Sequence, residues 1–437
     1  MKITVLGTGY LGATHAACMA ELGFDVVGVD TDPDKVALLN SGAIPFFEPE
    51  LQPLLRKHVE TGRLRFTTDL ADAAAFADVH FVCVGTPQQK GRLAADMTYV
   101  NGVVEDLAPL LRPGAVVVGK STVPVGSAAA LRQRVLELAP DGAEVELVWN
   151  PEFLREGFAV ADTLSPDRIV IGTGSPWAEA VVRQVYADAI GRGTPFLVVD
   201  LETAELVKVA ANSFLATKIS FINAMAEVCE ATGADVVQLA DAIGHDARIG
   251  RRFLSAGLGF GGGCLPKDIR AFQARGNELG LGKTLAFLRE VDEINVRRRA
   301  RTVDLVHGVL GGRISGRRIA VLGAAFKPNS DDVRDSPALD VADQLHMRGG
   351  DVVVYDPEAM GTARARSPQL HYAPSLAAAV EGADLILLLT EWAEFVAMDP
   401  ELTGDRVRAR HVIDARNVLD PVQWRAAGWT YRSLGRH

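Results

Sequence analysis

The first thirty residues constrain the fold more than any other part of the chain. Lys2-Ile3-Thr4-Val5-Leu6 reads as a buried strand, and Gly7-Thr8-Gly9-Tyr10-Leu11-Gly12 breaks it at once. A helical pattern then runs on to about Gly23, and Asp25–Val29 is a second strand ending at Asp30. Strand, G-x-G-x-x-G turn, helix, strand and acid, in that order, make a βαβ unit. The glycines permit a tight turn and close approach of a pyrophosphate to the backbone, and the helix N-terminus attracts its charge. An acid about 20 residues past the turn accepts hydrogen bonds from an adenosine ribose. A carboxylate at Asp30 disfavours a 2′-phosphate, so the expected cofactor is NAD rather than NADP.

At 437 residues the chain is too long for one ordinary core, so two or three domains are expected. A hydrophobic share of 48% and a charged share of 23% are ordinary for a globular protein. The net charge of −10 argues against nonspecific nucleic-acid binding, which needs a basic surface. Arg297-Arg298-Arg299 is the one dense basic cluster and is expected to be a solvated helix face. The apolar start is interrupted by Gly7 and Gly9, which argues against a secretory leader. No stretch reaches the ~18 apolar residues of a membrane helix, so no membrane partner is expected. Cys18, Cys83 and Cys229 lie on apolar elements and read as small core residues. No cysteine spacing resembles a metal site, so no metal is expected, and the compartment should be reducing and cytoplasmic.

Further strands end in polar turns. Val79–Val84 leads into Gly85-Thr86-Pro87, and Ala115–Gly119 into Lys120-Ser121-Thr122-Val123-Pro124-Val125-Gly126. Glu146–Trp149 leads into Asn150-Pro151-Glu152-Phe153-Leu154-Arg155-Glu156-Gly157. Open α/β sheets bind ligands at strand carboxyl ends, so polar residues there are site candidates. Residues 201–232 form one long helical pattern without Pro or internal Gly, suited to joining domains and to self-association. Lys208 and Asn212 are four residues apart on it and share a face. Arg318–Leu322, Gly323-Ala324-Ala325, a helix, and Asp351–Tyr355 ending at Asp356 repeat the N-terminal order. This second turn lacks the full G-x-G-x-x-G and need not bind a dinucleotide. Residues 385–390 and 411–415 supply more strands. The predicted fold is α/β, with two Rossmann-like doubly wound domains joined by a long central helix. The expected boundaries are 1–200, 201–308 and 309–437.

Residues 257–270 carry the chemistry: Gly257-Leu258-Gly259-Phe260-Gly261-Gly262-Gly263-Cys264-Leu265-Pro266-Lys267-Asp268-Ile269-Arg270. One thiol closes a glycine-rich loop, with an ammonium and a carboxylate directly after it. A thiol in such a setting ionises and attacks carbon. The bland alternative is a buried core cysteine. A nucleophilic thiol combined with a nicotinamide cofactor points to oxidation through an aldehyde to an acid.

These blocks, together with Glu205–Asn212 and Phe326–Pro337, resemble the UDP-glucose/GDP-mannose dehydrogenase family over nearly the whole length, and within it the UDP-glucose branch. The resemblance implies an N-terminal NAD domain, a central dimerisation region and a C-terminal domain for the sugar nucleotide. It implies four-electron oxidation of C6 of UDP-glucose to UDP-glucuronate, a precursor for polysaccharides, using two NAD. By the same resemblance Cys264 is the nucleophile, and Lys208 and Asn212 stabilise an oxyanion. Asp268 orients or deprotonates water, and Thr122 and Glu152 hold water and assist proton transfer. Gly7, Gly9, Tyr10, Leu11, Gly12, Asp30, Lys35, Thr86, Thr122, Glu156, Lys267 and Arg334 are implied cofactor contacts. Phe153, Leu154, Glu156, Lys208, Asn212, Phe253, Gly257 and Arg416 are implied substrate contacts. Arg248 is implied to reach the neighbouring active site in a homodimer or higher homo-oligomer. Gly263 departs from the Ser or Ala frequent at that position.

The group that takes the first proton from the C6 hydroxyl stays open between Glu152, Lys208 and a water held by Thr122 and Asp268. Other nucleotide sugars remain alternatives: dTDP-glucose, GDP-mannose and UDP-N-acetylhexosamines. A two-electron dehydrogenase or an epimerase needs no thiol, and Cys264 argues against both. A non-catalytic nucleotide-sugar-binding regulator would tolerate loss of Cys264, Lys208 or Asp268, and all three are present.

Overall fold

The protein is described by a computed structural model covering residues 1–436. The chain divides into two compact units. The first comprises Met1–Ala211 and Ala274–Gly280; the second comprises Asn212–Gln273 and the chain from Leu281 onward. The helix Leu201–Thr232 passes from one unit into the other between Ala211 and Asn212.

The first unit is built on an eight-stranded sheet. Its strands are β1 (Lys2–Leu6), β2 (Asp25–Val29), β3 (Leu64–Thr67), β4 (Val79–Val82), β5 (Val116–Gly119), β6 (Glu146–Trp149), β7 (Ile169–Gly172) and β8 (Phe196–Val199). They lie in the order β3-β2-β1-β4-β5-β6-β7-β8. All neighbours are parallel except β6 and β7, which meet antiparallel at Trp149 and Gly172. Successive strand residues point to opposite faces. Accordingly Val116 and Val118 join one buried cluster and Val117 joins the other. Burial on both faces is why these strands read as continuous apolar runs rather than as alternation.

The second unit carries β9 (Arg318–Leu322), β10 (Asp351–Tyr355), β11 (His371–Tyr372), β12 (Leu385–Leu388), β13 (His411–Asp414) and β14 (Thr430–Ser433). Their order, β11-β10-β9-β12-β13-β14, repeats that of the first six strands, and every pairing is parallel. One continuous apolar cluster fills both faces of this sheet.

The arginine run departs from its expected place. Arg298 is completely buried and Arg299 nearly so. Arg298 donates from Nε to the Gly257 carbonyl at 3.1 Å, while Arg299 pairs with Asp335 and Asp340 at 3.0 Å each. A helix turns about 100° per residue, so three consecutive side chains cannot share one solvated face. Cys18, Cys83 and Cys229 are buried, as their apolar settings predict.

Three histidines, His15, His58 and His80, are buried in the first unit. His80 accepts or donates at Nδ1 against the Thr4 hydroxyl at 2.7 Å, and burial holds its pKa down to about 4. His15, on the helix Tyr10–Glu21, lies edge-on to Phe81 with ring centroids 4.4 Å apart. Neither ring nitrogen of His15 meets a protein partner. Burial, and secondarily the Lys120 ammonium, hold its pKa well below the usual histidine range. The unfolded chain therefore takes up a proton near pH ~6.5 that the folded chain refuses, and stability falls as pH drops through that value. Replacing His15 with leucine is expected to raise stability by about 1 kcal/mol at pH 7.5. The gap over wild type should widen at pH 5.5, as read by denaturant unfolding. A gap that stays constant or narrows on acidification would refute this account.

Candidate active site

The carboxyl end of β1 shows what each glycine of the turn is for. A Cβ on Gly12 would lie 1.8 Å from the Gly7 carbonyl oxygen, and one on Gly7 would lie 2.6 Å from a Val84 methyl. These two glycines are required by the packing of helix on strand. A Cβ on Gly9 would meet nothing within 4 Å. Gly9 caps the helix Tyr10–Glu21 without a side-chain oxygen, and no acid occupies the first turn. The exposed N–H groups of that turn are a ready anion site. Asp30 stands beside them. Its Oδ2 accepts from the Thr8 amide and hydroxyl at 3.0 Å each, and Lys35 Nζ lies 3.0 Å from both oxygens. Burial opposes ionisation of Asp30, but Lys35 and the Asp32 and Thr8 donors outweigh it, so its pKa is lowered. A dinucleotide with a free ribose 2′-hydroxyl fits this turn.

The neighbouring loops are cross-linked. Thr86 Oγ1 donates to the Thr122 carbonyl at 2.7 Å, and Ser121 Oγ to the Val84 carbonyl at 2.7 Å. The Tyr10 hydroxyl donates to Glu48, whose two oxygens also accept the Gly157 and Ala159 amides at 2.6 and 2.7 Å. Glu156 is buried in the same loop, and Leu11 is half-buried on the first helical turn. Sequence reasoning did not single out Glu48, because its partners lie 38 to 111 residues away.

After β5 and β6 lies a buried ion pair. Lys120 Nζ is 3.1 Å from Glu152 Oε2 and 3.1 Å from Asn150 Oδ1. Glu152 Oε1 accepts from the Phe153 and Leu154 amides at 2.6 and 2.8 Å. Burial resists the charge on Glu152, but Lys120 prevails, helped by the Leu154 amide and Lys208, and its pKa is lowered. Two cations lie over the Phe153 ring. The Arg168 guanidinium is 3.9 Å and Lys208 Nζ 5.7 Å from its ring centroid. Leu154 is half-buried next to it. Lys120 and Arg168 are further residues that sequence reasoning passed over. A lysine closing an apolar strand was the available signal for Lys120.

The second unit assembles the thiol loop. Cys264 is exposed and directly precedes the helix Leu265–Glu278. Its carbonyl accepts the Asp268 amide at 2.9 Å, so the carboxylate sits one turn along. Asp268 is buried, with Oδ1 taking Lys267 Nζ and Oδ2 taking Asn212 Nδ2, both at 2.7 Å. Asn212, Lys267, Asp268 and Cys264 are thus brought together, and Lys208 lies one turn before Asn212 on the long helix. A Cβ on Gly261 would fall 2.3 Å from the Asp335 carbonyl oxygen. Gly262 adopts φ +84° and donates to the Arg334 carbonyl at 2.9 Å. A Cβ on Gly263 would lie 2.4 Å from the Arg334 guanidinium carbon, so glycine there makes room for this arginine. Arg334 also holds Asp332 at 2.8 Å.

The other predicted residues take varied places. Gly257 donates to Asn223 Oδ1 at 2.8 Å. Phe253 has φ +64°, a left-handed conformation uncommon outside glycine. Arg416 is occupied by the Leu389, Gly259 and Phe326 carbonyls at 2.6, 3.1 and 3.3 Å. Arg248 projects outward with its guanidinium on Asp246 at 2.6 Å. In the repeated unit Asp356 stands where Asp30 stands in the first. It is sealed, accepting from the Ala324, Ala325, Glu358 and Ala359 amides and from Trp392 Nε1. Its carboxylate has no capacity left for a ribose. Among the described residues no group of three metal-ligating side chains occurs, and no helix is long and apolar enough to cross a membrane.

Comparison with known proteins agrees with this layout. Residues 1–190 match the NAD binding domain of the UDP-glucose/GDP-mannose dehydrogenase family, 202–297 its central domain, and 320–421 its UDP binding domain. The chain is 42% identical to the UDP-glucose 6-dehydrogenase TuaD of Bacillus subtilis over 436 residues, covering 100% of this chain and 93% of that protein. It is likewise 42% identical to a UDP-glucose 6-dehydrogenase of Rhizobium meliloti, with 100% of both covered. The solved UDP-glucose dehydrogenase of Pyrobaculum islandicum superposes with a TM-score of 0.91 at 38% identity, covering 100% of this chain and 98% of that one.

The glycine geometry makes a paired prediction. Gly12→Ala is expected to cost about 1–3 kcal/mol or more of stability through its backbone clash. Gly9→Ala should leave the unfolding midpoint nearly unchanged and instead weaken NAD binding, by roughly tenfold or more. Thermal unfolding and fluorescence titration with NAD separate the two. Equal destabilisation by both changes would contradict the division of roles.

Proposed function

Because this chain belongs to the UDP-glucose/GDP-mannose dehydrogenase family, we propose that it oxidises C6 of UDP-glucose from alcohol to carboxylate. In this reading one enzyme performs both two-electron steps, holding the sugar on Cys264 for the second. The observation that carries it is an exposed thiol at the head of a helix, one turn from the Asn212–Asp268–Lys267 cluster. NAD, bound at the first unit, supplies the hydride acceptor for each step, and two are consumed.

The chain's own residues have distinct tasks. The first step removes the C6 hydroxyl proton and leaves an aldehyde. An aldehyde is a poor hydride donor. The Cys264 thiolate therefore adds to its carbon, forming a C–S bond and an oxyanion that Lys208 and Asn212 stabilise. Loss of the second hydride from that tetrahedral carbon gives a thioester. Water, oriented by Asp268, attacks it, the C–S bond breaks, and Cys264 is regenerated with release of UDP-glucuronate. The balance is one alcohol, two NAD and one water in; one carboxylate, two NADH and three protons out. Asp268 is oriented for this role because Lys267 and Asn212 fix both of its oxygens. Thr122 and Glu152 lie at adjoining strand ends of the first unit, where the proton transfers of the first step would be served.

The homodimer reading is supported by the long helix. Phe214, Phe221 and Val228 are exposed on it at 67%, 49% and 51%, spaced seven residues apart. That heptad spacing aligns them on one face, a stripe suited to a second copy of the chain. Arg248 is then available to a neighbouring active site, and the cytoplasm, where UDP-glucose and NAD are available, is the proposed compartment.

With limiting nucleotide sugar and excess NAD, about two NADH per UDP-glucose are expected; a ratio of one would end the reaction at the aldehyde and withdraw the role of Cys264. The same assay with dTDP-glucose and GDP-mannose tests the base and sugar. Cys264→Ser is expected to lower kcat for acid formation by about three orders of magnitude or more while still binding NAD. Unchanged turnover in that variant would rule out the covalent route.

A further inference from the structure

Lys120 lies beyond the residues assigned so far. Its ammonium is sealed at the carboxyl end of β5, with only 5% of the side chain exposed, whereas that of Glu152 is 19% exposed. The ion pair is thus lopsided: the lysine side chain is shut inside, and that of the glutamate is partly open. A lysine buried this fully requires partners for every proton. Lys120 has three: Glu152 Oε2 and Asn150 Oδ1, both at 3.1 Å, and the Tyr186 hydroxyl at 3.4 Å. Tyr186 in turn donates to Asn150 Oδ1 at 2.6 Å, and Asn150 Nδ2 donates to the Val170 carbonyl at 2.9 Å. The network is anchored on β5, β7 and the end of the helix Pro176–Val185.

Lone-pair accounting defines what Glu152 has left. A carboxylate offers about four acceptor positions. Two on Oε1 take the Phe153 and Leu154 amides, and one on Oε2 takes Lys120. One position on Oε2 remains. We propose that Lys120, braced by Tyr186 and Asn150, is a positioning residue that fixes Glu152 as a hydrogen-bond acceptor with one directed lone pair for a water or substrate hydroxyl. Glu152 then orients the reacting proton without storing it. This inference rests on the reading that Glu152 serves the dehydrogenase reaction.

The surrounding charges agree. The groups felt at Glu152 or Lys120 are Lys208, Tyr186, Cys83, Cys18 and His15. Burial keeps the thiols of Cys18 and Cys83 up at about 12 and His15 uncharged. Lys120, and more weakly Lys208, act as cations on Glu152, and burial alone would push its carboxyl the other way. Removing Lys120 should raise the pH at which Glu152 titrates.

The test is NADH production by the full-length enzyme, on whichever nucleotide sugar the wild type oxidises, from pH 5 to 9. Lys120→Ala is expected to lower kcat by about a hundredfold with KM little changed. Its kcat profile should gain an acidic limb absent from wild type, and propylamine, but not propanol, should restore both rate and profile. Tyr186→Phe keeps the cation but removes one brace, and should show a smaller loss in kcat with the limb shifted the same way. If Lys120→Ala does not fold, Tyr186→Phe decides. A folded variant with the wild-type pH profile, or a loss that propylamine and propanol reverse alike, overturns the proposal. NADH stoichiometry of the wild type is read separately, so failure of the four-electron reading is distinguishable from failure of this one.

Discussion

Everything in the first unit follows from where the parallel sheet reverses its order. β1 has β2 on one side and β4 on the other. The crossovers to the two neighbours leave on opposite faces, so no connection covers the carboxyl end of β1. A crevice must open there, and backbone that enters it can meet a ligand instead of a helix. The second sheet has the same reversal between β9, β10 and β12, yet the outcome differs. In the first, Gly9 faces open space and Asp30 is held by a turn amide, a hydroxyl and Lys35. In the second, the turn residues Ala324 and Ala325 are fully buried and Asp356 is saturated by donors of its own unit. The topology provides a crevice in each unit, and side-chain identity decides which of the two acids can answer to a ribose.

The thiol loop presents the opposite problem. A segment with five glycines from Gly257 to Gly263 loses much chain entropy on ordering and has only Leu258 and Phe260 to bury in return. Its order is supplied from outside by side chains that bind its backbone. Asn295 Oδ1 accepts the Phe260 amide while its Nδ2 donates to the Phe260 carbonyl, at 2.7 and 2.9 Å. Asn223 takes the Gly257 amide, Arg298 the Gly257 carbonyl and Arg416 the Gly259 carbonyl. This explains why fully buried asparagines and an arginine occupy the interior of the second unit, where apolar residues would ordinarily lie. It also explains why an arginine expected to meet the substrate is already engaged with main-chain oxygens.

Local patterns were legible in the sequence and remote partnerships were not. The βαβ unit at residues 2–30, the long helix and the thiol loop each announce themselves within a short window, because turn chemistry and apolar periodicity are local. Strands β3, β7, β8, β11 and β14 escaped that reading. They are two to four residues long, and β3, β8, β11 and β14 lie at or next to sheet edges, where burial is partial and the apolar run is short. Glu152 could be marked as a candidate from its motif, but nothing near it in sequence names Lys120 or Tyr186 as its supports. Arg298 and Arg299 looked like surface charge because a charge run is read as a unit, whereas a helix distributes it around its circumference.

Three buried charged side chains show how the first unit holds its loops without giving them secondary structure. Glu48 takes the amides of Gly157 and Ala159; Lys120 holds Glu152 and Asn150; Glu205 takes those of Gly126 and Ala128, both at 2.6 Å. Glu205 is the most consequential mechanically. It lies one turn before Lys208 on the long helix and caps the helix Ser127–Leu138, which follows directly on the Thr122 loop. Burial pushes its carboxyl up to about 7, against the pull of the Gly126 and Ala128 amides. An unfolded glutamate ionises near pH ~4.3, so folding is progressively disfavoured by this group as pH rises from there toward 7. The ionised form is nevertheless the better cap, since a helix N-terminus stabilises an anion. The carboxylate that costs stability is thus the one that ties the Thr122 loop to the helix bearing Lys208.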